Sequence, residues 1–118
     1  MRVVRVSPAG RARSAAEIFR GHVATQTVID EGSRDLRLIE VAFKSGARNR
    51  LHVHSTDQIL VITEGTGLVG TASEQHEVTI GDVAFIPAGE PHWHGAKPGH
   101  DLTHWSMTGQ AQTRIVGD

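Results

Sequence analysis

Residues 46–65 read GARNRLHVHSTDQILVITEG, and the reading of this stretch decides the fold. His52 and His54 stand two apart, Gln58 follows four residues later, and Gly46 and Gly65 close the ends. A strand repeats its side-chain direction every second residue, so the two imidazoles face one side of a sheet. Two imidazoles aimed into one interior, with an amide one short turn later, is how a β scaffold converges nitrogen and oxygen donors on a cation. Alone, the pair also reads as an exposed strand with two incidental histidines. A second stretch tips the balance: residues 81–96, GDVAFIPAGEPHWHGA, offer His92 after a Pro–Gly turn.

Together the two stretches resemble the paired motifs of the cupin superfamily, small β-barrel proteins. The first motif, G-x5-H-x-H-x3-E-x6-G, is met by Gly46, His52, His54 and Gly65, with Gln58 where the family has Glu. The second, G-x5-P-x-G-x2-H-x3-N, is met by Gly81, Pro87, Gly89 and His92, with Ala96 replacing the Asn. The resemblance runs over roughly residues 36–108 and implies an all-β jelly-roll barrel, the double-stranded β-helix, as one cupin domain over 1–118. Within the superfamily, LHVHSTDQIL, IPAGEPHWHGA and THWSM together resemble small bacterial cupins that include the manganese-dependent hydroxynitrile lyases. That resemblance implies a metal held by His52, His54, Gln58 and His92. It also implies a further histidine twelve residues after the last ligand, matched by His104, and pocket positions at Ile39 and Val41.

A chain of 118 residues makes one domain with a single modest core. A formal net charge of −1 gives no reason to expect nucleic acid or an anionic membrane as partner. Three Phe, two Trp and no Tyr leave little for a base-stacking platform. The absence of cysteine rules out disulfides, zinc–thiolate sites and a thiol nucleophile, so any metal falls to His, Gln and carboxylates. No stretch reaches the ~18 apolar residues of a membrane span. The expectation is a cytoplasmic protein that acts on a small molecule and, by resemblance to the family, forms a homodimer.

Along the chain, residues 1–13 read as an edge strand followed by a loop, a strand suited to pairing with a neighbouring subunit. Ser14-Ala-Ala-Glu17 has the spacing of a capping box and predicts a single helical turn through Phe19. From His22 onward, strands alternate with turn signals in the all-β manner. In the strand over 36–43, Ile39, Val41 and Phe43 share a face that Arg37 breaks near the rim, and Glu40 takes the other side. Gly65-Thr-Gly67 reads as a hairpin turn, LTHWSMT as the last strand, and the tail from Gly109 as poorly ordered.

Four neutral ligands leave a divalent ion its full charge, which favours Lewis-acid chemistry. Such donors suit Mn, Fe, Ni, Cu or Zn, and the resemblance implies manganese. His94 shares the parity of His92 and can look into the same cavity. His104 shares a face with Ser106 and Thr108; turned inward, it stands where a general base is needed. Thr108 then joins Ile39 and Val41 as a substrate contact, and Arg50 continues the 52/54 parity toward the rim as an anion contact. Trp93 and Trp105, of opposite parity, pack outside the barrel, and His22, His76 and His100 fall on the surface. The leading reading is a metal-dependent lyase in which His104 or His94 takes a proton. A metal-dependent oxygenase and a non-catalytic small-ligand-binding module are the alternatives.

Overall fold

The computed structural model describes residues 1–118. After one 3-10 turn at Pro8–Gly10 the chain enters strands β1 (Ala12–Arg13), β2 (Phe19–Arg20), β3 (Val23–Ile29) and β4 (Arg37–Phe43). Next come β5 (Arg48–Asn49), β6 (His52–His54) and the long β7 (Gln58–Gly70). β8 (Gln75–Thr79), β9 (Val83–Ile86), β10 (Trp93–Ala96), β11 (Leu102–Thr108) and β12 (Thr113–Ile115) complete the chain. The architecture is the expected all-β jelly roll.

β7 belongs to both halves of the barrel. Its first part pairs with β11 and β9, which continues a sheet through β4 and β3 to β1. Its second part pairs with β8 and β10, and that sheet continues through β5 to β2. The changeover falls at Gly65, whose φ of +78° suits a residue without Cβ. A Cβ there would also land on the Asp101 carbonyl. The segment expected to turn back at Gly65–Gly67 therefore runs straight on as strand, and the chain reverses only after Gly70.

Register lays out the barrel interior in rows. Val23, Phe43 and Leu102 lie side by side at the closed end, all buried. Thr25, Val41, His104 and Ile62 form the next row, then Thr27, Ile39, Ser106 and Leu60, and finally Arg37, Thr108 and Gln58. A bulge between Thr103 and His104 shifts the β11–β7 pairing, and Leu102, Thr103 and His104 are buried in succession. Bulges re-aim side chains in this way beside functional sites.

Three further expectations change. Ser14–Glu17 makes no helix: Ser14 Oγ accepts from Ala16 N–H two residues on, and the chain is drawn at once into β2 against β5. The one helical turn sits earlier, where Pro8 fixes its φ. Residues 1–7 form no edge strand; the first strand is β1, paired within the chain to β3. The tail is not loose but forms β12, antiparallel to β6. No helix is long and apolar enough to cross a membrane.

Candidate metal centre

β6 carries His52 and His54, held between β12 on one side and a bridge from His52 to His92 on the other. His52 and His92 exchange both backbone hydrogen bonds at 3.0 Å, which fixes their side chains as neighbours. One ring nitrogen from each of His52, His54 and His92 lies within 4.8 Å of the others. Their Nδ1 atoms are all engaged outward. His52 Nδ1–H donates to the Arg50 carbonyl at 2.6 Å, and His92 Nδ1–H to the Glu90 carbonyl at 2.9 Å. His54 Nδ1 pairs with Thr113 Oγ1 at 2.8 Å. Such anchoring leaves the Nε2 lone pairs for the interior.

Gln58, at the start of β7, completes the set. Its amide nitrogen donates to Ser106 Oγ at 2.8 Å, which turns Oε1 toward His92 Nε2 at 2.9 Å. With the His92 proton on Nδ1, two acceptors face each other with no hydrogen between them. His54 Nε2 is likewise buried without a partner. Buried acceptors left this way are costly, and a cation among them removes the cost. The four residues therefore fit a divalent metal. Burial holds the His52 imidazole down to about 3 and His54 to about 4, and lowers His92, so all three stay neutral and ready to ligate at pH 7.

His94 and His104 stand beside the cluster as a second pair, His104 Nε2 lying 2.9 Å from His94 Nδ1. Asn49 clamps His94 from β5: its carbonyl accepts the His94 backbone N–H at 2.8 Å, and its amide donates to Nε2 at 3.1 Å. The proton of neutral His94 then sits on Nδ1 and is donated to His104. Phe43 packs against both rings, at 6.0 and 5.4 Å. Burial puts His94 well below its usual range and His104 at about 4, so the pair is neutral at pH 7.

While His92 borders a neighbouring cavity, the pair shares one of about 460 Å³ with His54 and Gln58 of the ligand set. Ile39, Val41 and Thr108 line it as expected. Arg50 does not. The chain bends between β5 and β6, so the two-residue parity does not carry back to it. Arg50 Nε instead meets the Gly117 carbonyl at 3.2 Å and Asp118 Oδ1 at 3.1 Å. Arg37 is the cation that lines the cavity, and no carboxylate does. Trp93 packs under Arg48 on the outside, and His22, His76 and His100 are exposed.

Residues 39–106 match the family model described as a cupin domain. The chain belongs to the cupin family. A relative, an (R)-mandelonitrile lyase from Granulicella tundricola, is 34% identical over 99% of this chain and 88% of its own. A cupin-like protein from Thermotoga maritima superposes with a TM-score of 0.85 at 28% identity, covering 91% of this chain and 85% of that one. The polyketide cyclase RemF from Streptomyces resistomycificus shares the fold, with a TM-score of 0.82 at 20% identity over 98% of this chain and 86% of that one.

Three residues of this cupin site went unassigned in the sequence. Asn49 lies between two arginines and carries no motif signal. Ser106 was placed on the right face without a role. Thr113 was set aside with the tail, although Thr113-Arg-Ile115 has the alternation and β-branching of a short strand.

Proposed function

We propose that this cupin is a metal-dependent lyase of the hydroxynitrile-lyase type, with manganese as the resident ion. The observation that carries the reading is that four neutral donors cluster together and two of them, His54 and Gln58, open on the same cavity as two further neutral imidazoles. The name of the Granulicella tundricola relative, (R)-mandelonitrile lyase, supports the same reaction class. His52, His54, His92 and Gln58 would hold the ion, and a divalent cation there supplies Lewis acidity that lowers the pKa of a substrate hydroxyl. His104 Nε2, the one lone pair of the His94–His104 pair not held by Asn49, takes the hydroxyl proton in place of its contact with His94 as the oxygen closes to a carbonyl. The electron pair of the breaking carbon–carbon bond leaves with the nitrile carbon. Return of the proton to that carbon gives hydrogen cyanide beside the aldehyde, and both imidazoles end neutral. Asn49 keeps His94 in the tautomer that shares its proton with His104. Ile39, Val41 and Thr108 shape the walls around the substrate's remaining group.

Aldehyde release from mandelonitrile, followed anaerobically with the manganese, iron, zinc or nickel protein, tests the proposal. Turnover is expected, and His104→Ala should lower kcat by about 10²-fold or more. A loss below tenfold contradicts the role of His104. No anaerobic cleavage with any of the four ions contradicts the lyase, and oxygen uptake in its place points to an oxygenase.

A further inference from the structure

Arg37 is the one permanently charged side chain lining the cavity, and the mechanism above gives it nothing to do. It sits on β4 directly opposite Thr108, which in turn sits opposite Gln58, so cation and metal-ligating amide occupy one row across three strands. Two inter-strand steps separate their backbones by about 10 Å, a gap that two long side chains on the same face largely close. The Arg37 Nε atom is buried and has no hydrogen-bond partner. Asp30 Oδ2 lies 3.5 Å away and balances its charge only loosely, with both side chains more than one-third exposed. The rest of the lining is neutral. A cavity whose one cation is only loosely paired, and whose lining holds no carboxylate, favours an anion.

Resting on the reading of this cavity as the substrate site of a lyase, we infer that the cyanohydrin it cleaves is also a small organic acid, with a carboxylate beside the reacting group. Its carboxylate pairs with Arg37, and its hydroxyl or carbonyl oxygen reaches the His52–His54–His92–Gln58 cluster. A planar guanidinium matches a carboxylate with two parallel hydrogen bonds, which an alkyl or aryl group cannot offer. Arg37 thereby sets which end of the molecule faces the metal ligands.

The test is calorimetric binding of mandelate and mandelamide, which differ in the charged group, to the manganese-reconstituted protein. Wild type is expected to bind mandelate at least about tenfold tighter, the range of a charge-assisted hydrogen bond. In Arg37→Gln the preference should collapse to within about twofold while mandelamide binding barely moves; Arg37→Lys, which keeps charge without the fork, should retain part of it. Equal binding of acid and amide by wild type overturns the inference, and so does a preference that survives in Arg37→Gln. Mandelonitrile turnover is scored separately. Turnover without an acid preference removes the inference and keeps the lyase; an Arg37-dependent preference without turnover does the reverse.

Discussion

Thr113→Val isolates the contribution of the C-terminal strand to the metal centre. Valine keeps the shape and β propensity of the side chain, so the β12–β6 ladder survives. What disappears is the hydroxyl 2.8 Å from His54 Nδ1. Two consequences can be sized. The imidazole loses the contact that sets its orientation, and loss of such an outer partner typically lowers metal affinity 10- to 100-fold, about 1.4–2.7 kcal/mol. Nδ1 is also left without a partner in a half-buried position, which costs the metal-free fold about 1 kcal/mol. Chelator competition on the manganese protein measures the first effect, and thermal unfolding of the metal-free protein the second. Thr113→Ser restores the hydroxyl and should recover most of the affinity. If the valine variant holds metal as tightly as wild type, the tail strand does not position His54 and this account of the site is wrong.

Acid should destabilise the metal-free protein through its neutral histidines. His52 at about 3, and His54 and His104 at about 4, lie below the ordinary 6.5, so unfolding takes up protons as the pH falls. Their contribution is complete above about pH 6.5 and is lost toward pH 4, at up to about 1.4 kcal/mol per pH unit for each histidine; urea unfolding that is flat from pH 7 to 4.5 contradicts it. Gly65→Ala combines a φ of +78° with a backbone collision and should cost at least about 2 kcal/mol, read as a fall in Tm. The outer face of the β3–β4–β11–β7–β9 sheet carries Ile29, Leu38, Met107, Ile59 and Phe85 side by side, with Val83 and Phe85 more than 60% exposed. A second copy of the chain is expected to cover it. Sedimentation should then find a dimer that Phe85→Asp converts to monomer, and a wild-type monomer contradicts this.

The parts of the fold legible in the sequence were those governed by local rules. Alternation pointed Ile39 and Val41 inward and gave His104 a shared face with Ser106 and Thr108, and the resemblance to the paired cupin motifs grouped His52, His54, Gln58 and His92. Where long-range pairing decides, local signals misled. Gly65 and Gly67 look like a turn because glycine permits one, yet here glycine serves a strand passing close to the Asp101 carbonyl. Ser14–Glu17 carries a capping-box pattern, but pairing of β2 with β5 holds the following residues extended. The roles of Asn49, Ser106 and Thr113 depend on residues 45, 48 and 59 positions away in the chain, and no local pattern announces such contacts. Arg50 was expected at the cavity rim and lies elsewhere for a similar reason: parity holds within a strand and fails across the bend before β6.

The central claim is that His52, His54, His92 and Gln58 form a working metal site. Elemental analysis of protein purified without a histidine tag or chelator, beside a His52→Ala control, tests it most directly. The account predicts close to one transition-metal ion per chain, manganese foremost, lost in the variant. Protein that carries no metal and takes none up on reconstitution, with the barrel still folded, would contradict it.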